Sequence, residues 1–413
     1  MLKYLFLFIV LVLSSGAFTS LHWSLQEAAG MGSSGESSLN TILWLLASVA
    51  TTLFGLFVLP RVLSLFSKNI ALVFLTMLAV LSTVWSIAPI ASLYAGVALT
   101  GCLFTAAIIR IHYNDVEIYS LLNRVALFLA VSSLLVVLLL PDAGIMGGMH
   151  EDRWRGVFAH KNALARCMAL GLIISLISLF YARKPKVKLA LIVFSAIYLV
   201  VLIATGSASN LVVVTLAVAA WLLIAALRSL IASTSYSLLP MLLLIGAAGI
   251  FIASDYAWLL ELLGRDITLT GRTLIWTASV AAIEDAPVLG YGHSVFWRDD
   301  VGLAYSYLGL LLNWDAPHAH NGVLELGLNL GLIGVVVFLF SLVLLLAKAW
   351  VQAYHEKTLV SDLNFTILVA FIITNISECT LLRPGIHWIV YLLVAFSISQ
   401  IHHQGRASKA PSK

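Results

Sequence analysis

Apolar residues in this chain come in long unbroken runs, and the polar positions between them are confined to short stretches. Runs of about 17 to 25 apolar residues are the length a helix needs to cross a bilayer core. They are continuous rather than alternating, which excludes a spanning barrel, where lipid-facing and lumen-facing side chains alternate. The pattern predicts about twelve membrane helices. They begin near Lys3, Asn40, Ile70, Ala91, Ile118, Ala163, Val187, Ser209, Leu238, Val323, Leu363 and Ile386. The expectation is an all-α polytopic membrane protein, a single transmembrane domain over residues 1–413, with residues 404–413 as a disordered cytoplasmic tail.

The first run has two readings. Lys3, then LFLFIVLVL, then SSGA fits a signal peptide with a small-residue cleavage region as well as a retained helix. A retained helix is the expectation, and the later topology is the same either way.

Composition agrees with lipid as the solvent: 61% of residues are hydrophobic and 10% charged. The net charge of +4 is spread over short clusters with no continuous basic face, which excludes nucleic acid as a partner. Cys102, Cys167 and Cys379 are odd in number and lie in or beside apolar runs. They read as small core residues, with no disulfide framework or zinc set.

Orientation follows from the loops that hold Lys and Arg. With the N-terminus in the cytoplasm, the cluster Arg183, Lys184, Lys186 and Lys188 falls inside with Arg61, Lys68, Arg110, Arg228, Lys348, Lys357 and the tail residues Arg406, Lys409 and Lys413. The outer side receives Arg153, Arg155, Lys161, Arg265, Arg272, Arg298 and Arg383, about half as many. These exceptions concentrate in two loops, 141–162 and 255–322, the second long enough to hold short interfacial helices such as one in TLIWTASVAAIEDAPVLGYG. Long ordered loops between spans are usually functional.

Loop 141–162 carries Arg153, Arg155, His160 and Lys161 on the side that normally avoids cations. Guanidinium groups bind phosphate through two parallel hydrogen bonds, so an anion site is expected there, against the alternative of a solvated turn whose Asn162 caps the next helix. Arg166, four residues beyond Asn162, is placed to join the outer cations, whereas Arg124 can snorkel at the inner end of its span. The long loop adds Thr270-Gly271-Arg272-Thr273, Trp276, and Pro287-Val288-Leu289-Gly290-Tyr291-Gly292, the last a tight turn. It ends in His318-Ala319-His320-Asn321, with Glu325 following. Histidine titrates near neutrality and suits a general base whose ring Asn321 or Glu325 orients; the alternatives are an interfacial structural histidine and a metal pair, and no metal is expected. Asn375 and Glu378 stand near the outer end of the eleventh span, and an intramembrane carboxylate there serves either to bind a sugar or to pair with an arginine.

Together these segments resemble the O-antigen ligase and polysaccharide polymerase superfamily. The resemblance rests on Arg153 or Arg155 ahead of Gly156, Phe158 and Asn162; on Gly271, Arg272 and Trp276 before Pro287, Gly290 and Gly292; and on His320, Asn321, Gly331 and Gly334. His160-Lys161-Asn162, Arg265-Asp266 and the stretch Asn375 to Glu378 look like the exopolysaccharide polymerase branch. One departure is Ser207-Ala208-Ser209, followed by Asn210 where the family often has Arg or Lys.

The resemblance implies a glycosyltransferase of the bacterial inner membrane, with its active face in the periplasm and no cofactor. The donor it implies is a glycan on undecaprenyl pyrophosphate, and the acceptor a glycan or a lipid. Polymerisation of repeat units comes first and ligation to lipid A core or another acceptor second. In that reading Arg153, Arg155, Lys161 and Arg272 hold the pyrophosphate, and Arg272 and His320 act in catalysis. His160, Asn162, Trp276, His318, Asn321, Glu325 and Glu378 support them or bind substrate. Membrane lipids and polysaccharide-export or chain-length-control proteins are candidate partners. Transport of an anionic substrate is the alternative from another class; polar groups gathered at one face argue against it, since transporter sites lie near the midplane. A non-catalytic assembly partner of such an enzyme is a third reading.

Overall fold

The computed structural model describes residues 2–20, 38–148, 151–230, 272–309 and 316–407. It is an all-α membrane protein. Its helices are α1 (Leu2–Ser14), α2 (Ser38–Phe57), α3 (Leu59–Phe66), α4 (Ile70–Leu81), α5 (Pro89–His112), α6 (Asp115–Leu139) and α7 (Lys161–Tyr181). They continue as α8 (Pro185–Ala204), α9 (Ala208–Leu230), α10 (Arg272–Asp285), α11 (Leu303–Leu308), α12 (Gly322–Glu356), α13 (Leu359–Ser377) and α14 (Ile386–Ala407). The sheet is one two-residue hairpin, Ile145–Met146 paired antiparallel with Arg153–Trp154.

Among the described residues seven helices are long and apolar enough to span, or eight if the bent pair α2–α3 is one span. The expected count of about twelve is therefore not reached. The ninth expected span, near Leu238, lies outside the described residues. Three others are short: Tyr4–Ser14, Ile70–Val84 and Ile386–Gln400. At about 1.5 Å per residue, the 12 residues of α4 cover roughly 18 Å of a core about 30 Å thick. Between α2 and α3 the axis turns by 101° beside Pro60, whose missing N–H cannot continue the ladder. The last helix reaches Ala407, so it takes in residues 404–407 of the expected tail.

Local sequence signals explain where the helices start. Asn114 and Glu117 form a reciprocal capping box on α6, Thr358 and Ser361 form one on α13, and prolines open α5 and α8, where a lost N–H costs nothing. One buried core joins α1, α5, α6, α7, α13 and α14 through side chains such as Leu11, Leu99, Leu129, Met168, Phe396 and Trp388. The three cysteines are buried and unbridged. Arg124 lies over the Tyr4 ring, 5.6 Å from its centroid, which gives it a structural setting.

Two faces follow from the helix order. At one, buried Asp362 at the start of α13 accepts hydrogen bonds from Tyr181 at the end of α7 (2.8 Å) and from Trp221 of α9 (2.7 Å), and pairs with Arg228. At the other lie the loop after α6, the α8–α9 turn, the segment before α12 and the α13–α14 turn. The candidate residues among those described sit there.

Candidate functional site

The loop after α6 is built as a frame. Pro141–Gly144 makes one helical turn, and the Nε of Arg155 donates to the Ala143 carbonyl (2.8 Å) while its Nη2 donates to the Asp142 carbonyl (3.1 Å). The Arg155 guanidinium thus braces its own loop. Arg153 is exposed, with its side chain lying across Gly206 in the α8–α9 turn, where a Cβ would come within 2.7 Å of it. Val157 and Phe158 are buried and anchor the loop to the bundle.

The alternative reading of the loop made Asn162 the cap of the next helix. Instead His160 is the N-cap, its Nδ1 accepting from the Asn162 N–H at 3.2 Å. The Asn162 side chain is released for another purpose: its Nδ2 donates to Glu378 at 3.0 Å, and its Oδ1 accepts from the Ser207 hydroxyl at 3.1 Å. Asn210, standing where the family often has a cation, donates to Ser207 at 2.9 Å and extends this chain. Lys161 is buried beside it.

Glu378 is the hub. It ends α13 and is 3% exposed, its two oxygens taken by Asn162 and by Arg166 of α7 (2.9 Å), with Arg272 3.8 Å away. Arg272 opens α10, an end where the helix dipole disfavours a cation, so the carboxylate compensates for that placement. Asn375 has a different task. Its Oδ1 accepts from the N–H groups of Thr380 and Leu381, closing the turn that presents Glu378.

The histidines approach from the other side. His320 has φ +49°, its N–H donates to His318 Nδ1 at 3.1 Å, and the two ring centroids are 4.1 Å apart. This hairpin is held at Ala319: Trp276 Nε1 donates to its carbonyl (3.0 Å), and its N–H donates to Glu325 (3.0 Å), which also accepts from Trp297 (2.9 Å). Asn321 caps α12 through the N–H groups of Val323 and Leu324. Asn321 and Glu325 therefore fix the hairpin's backbone, a different job from the expected one of orienting the His320 ring.

Burial, then the charges of Arg272, His160, Arg166 and Arg383, pushes His320 down to about 3. His318 is lowered further, by burial first and then by His320, Arg383, Arg166 and Arg272. Both imidazoles are neutral at neutral pH, and Nδ1 of His320 is buried with no hydrogen-bond partner among the described residues. Ligand atoms of His318, His320 and Glu378 lie within 4.8 Å of one another, the spacing of a metal set. Against that use, both Glu378 oxygens are already occupied and guanidinium groups surround the cluster, so a dication would have to displace fixed positive charge.

Behind the site, α12 breaks at Gly331 (φ 62°, ψ −166°), and the Pro287–Gly292 turn docks on the break. Leu332 N–H donates to the Pro287 carbonyl (2.7 Å), and Tyr291 and Gly292 N–H groups donate to the Leu328 and Asn329 carbonyls at 2.9 and 3.2 Å. The two glycine motifs are halves of one joint.

The structure brings Arg272, His318, His320, Asn162 and Glu378 together. Arg153 and Arg155 lie on the loop alongside, and Gly271, Arg265 and Asp266 are outside the described residues. Two cations gain weight that the motifs did not give them. Arg166 was legible as a charge four residues past Asn162. Arg383 carried only the signal of an outer arginine.

Residues 192–339 match a family model described as O-antigen ligase. The chain is 24% identical over 298 residues to the exopolysaccharide production protein ExoQ of Rhizobium meliloti (strain 1021), an alignment covering 68% of this chain and 66% of that protein. It thus spans just under two thirds of that relative's length.

Proposed function

We propose that the chain is a member of the O-antigen ligase-like family of membrane proteins and that it polymerises lipid-linked oligosaccharide repeat units at the periplasmic face of the bacterial inner membrane. The observation that carries this reading is the convergence of Arg166, Arg272 and two neutral histidines around Glu378 at one membrane face. Nucleotide sugars are cytoplasmic, so an activated donor outside the cell membrane arrives on a lipid, and undecaprenyl pyrophosphate is that lipid here.

The diphosphate binds to Arg272 and Arg166, with Arg383, Arg153 and Lys161 adding positive potential. Arg155 serves by bracing the loop. His320 takes the proton of the acceptor hydroxyl as its oxygen attacks the anomeric carbon. The bond from that carbon to the diphosphate breaks, and the lipid pyrophosphate leaves with its charge held by the arginines. Without ligand, burial first and then the surrounding cations depress His320 and make it a weak base. A bound diphosphate offsets them and raises its basicity, so base strength appears when donor is present. No metal takes part.

Arg272→Ala and His320→Ala strains test the reading. Loss of a base or of one charge-stabilising group costs about two to four powers of ten in rate. Both strains should lose long polymer and accumulate single repeat units on the lipid carrier. Long polymer accumulating on the carrier supports ligation instead, and normal long polymer in both strains refutes the mechanism.

A further inference from the structure

Between α4 and α5 the bundle is open on one side. The two backbones touch near the site face, where a Cβ on Gly96 of α5 would lie 3.0 Å from the Val80 Cα of α4. Alongside that contact, and beyond it toward the opposite face, they leave a groove of about 310 Å³. It is lined by Val73, Met77 and Leu81 of α4, Leu103 and Phe104 of α5, and Phe66 of α3. That is about twice the ~150 Å³ of a dry apolar cavity that takes up benzene. The groove faces the bilayer, since Met77 is 57% and Leu81 54% exposed. Its hydroxyls are spent within their own helices: Thr76 donates to the Leu72 carbonyl (2.9 Å) and Thr100 to the Gly96 carbonyl (2.9 Å). A wall with no polar group to offer takes a hydrocarbon.

Depth selects which hydrocarbon. From Val73 to Leu81 the groove runs eight residues, roughly 12 Å at about 1.5 Å per residue and close to one leaflet of a core about 30 Å thick. A partner helix, about 10 Å wide and crossing both leaflets, is stopped by the Gly96–Val80 contact; one acyl chain is not. The groove ends at α3, on the face opposite the site, where Asn69 accepts from Ser399 near the end of α14 (2.8 Å). The 101° turn lays α3 along the bilayer surface, with Val62 and Leu65 as its buried side. Arg61 and Lys68 are exposed on either side of Phe66, and no carboxylate pairs with them among the described residues. We infer that this groove seats one chain of an anionic diacyl phospholipid from the leaflet opposite the site, with its phosphate on Arg61 and Lys68. Such a lipid acts on the site from a distance. At the other end of α4 the Ser82 hydroxyl accepts from the His293 N–H (2.9 Å) and Trp85 Nε1 donates to the Leu289 carbonyl (3.2 Å), while Ser92 of α5 donates to the His293 carbonyl (3.0 Å). A chain packed between the helices therefore steadies the pair on which residues 286–302 are docked. This lipid site holds whatever reaction the histidines perform.

The test uses the full chain purified in detergent and stripped of lipid, with dioleoyl phosphatidylglycerol and dioleoyl phosphatidylcholine as probes. Wild type should hold phosphatidylglycerol about tenfold more tightly than phosphatidylcholine, read by native mass spectrometry, and residues 286–302 should exchange hydrogen more slowly once it is loaded. Arg61→Gln with Lys68→Gln should bring the two lipids within about twofold of each other. Val73→Trp or Thr100→Trp fills the groove and should cost about tenfold in phosphatidylglycerol affinity, while unfolding of the lipid-free variant at or above the wild-type temperature reports that it is folded. A phosphatidylglycerol with a photoactivatable acyl chain should label α4 and α5 of the unmutated protein, which needs no variant to fold. Equal retention of the two lipids by wild type, affinity that survives in a folded tryptophan variant, or labelling confined to other helices each overturns the site, and unchanged exchange in loaded protein overturns its link to the loop.

Discussion

Gly331→Ala tests the joint behind the histidines without touching any group that meets substrate. At φ 62° and ψ −166° the backbone is in a region that only glycine enters freely, and forcing another residue there costs about 1–3 kcal/mol. Relaxation is blocked, because a Cβ at this position lies 2.3 Å from the Val288 carbonyl oxygen and 2.6 Å from the Leu289 nitrogen, both backbone atoms. The Pro287–Gly292 turn must therefore lift away. Four backbone hydrogen bonds hold it to α12, each worth about 0.5–1.5 kcal/mol net. Together these give a local destabilisation of about 3–9 kcal/mol, enough to populate an undocked loop. Undocking loosens Trp297, and with it the Glu325 contact that holds Ala319 between the histidines. A displacement of about 1 Å at reacting groups costs on the order of a hundredfold in rate. Hydrogen exchange of residues 286–302 in the purified variant, beside its transfer rate, checks both halves. Wild-type exchange together with wild-type turnover refutes the account of the joint.

Other consequences are direct. Asp362→Ala removes the acceptor shared by Arg228, Trp221 and Tyr181 at the opposite face; it should cost about 3–5 kcal/mol of stability, seen as a lower unfolding temperature, with turnover per folded molecule unchanged. Arg155→Ala should loosen the 141–160 loop, read as faster proteolysis there, and weaken donor affinity less than Arg272→Ala does. Chelator treatment should leave transfer intact, measured by polymer yield before and after EDTA, since Glu378 is already engaged by Asn162 and Arg166. Burial also pushes His293 down to about 4, and His320 sits at about 3, against a usual value near 6.5. The unfolded chain binds these protons first, so stability is full above about pH 6.5 and falls as pH drops toward 4 and 3; thermal unfolding at pH 7 and pH 4.5 should show the loss.

Hydropathy made the class of the fold legible, because a run of apolar residues needs no partner to declare itself. The path of the chain was less so. The 101° turn beside Pro60 and the stop of α4 after 12 residues are not fixed by an apolar count, which sets neither the path of a chain nor the length of a helix. At the site, motif spacing singled out Arg272, His320 and Asn162, but gave no hint that Asn162 and Arg272 meet at Glu378. It gave no sign that Arg155 braces its own loop through the Ala143 and Asp142 carbonyls. It also underweighted Arg166, whose partner Glu378 is 212 positions away. Local pattern reveals local tasks. Pairings across the bundle become visible only once the helices are laid side by side.

That last pairing bears on how the protein is made. While the ribosome is still adding α9, Arg166 has already been delivered to the membrane as a cation whose counter-charge does not yet exist. The eventual partner emerges after most of the polypeptide has been inserted, so the nascent bundle must shelter this arginine by letting it reach up to water at the lipid headgroups. Assembly of the centre is thereby deferred to the closing stage of synthesis, and a product cut short before residue 378 would hold its histidines and arginines without the carboxylate that gathers them.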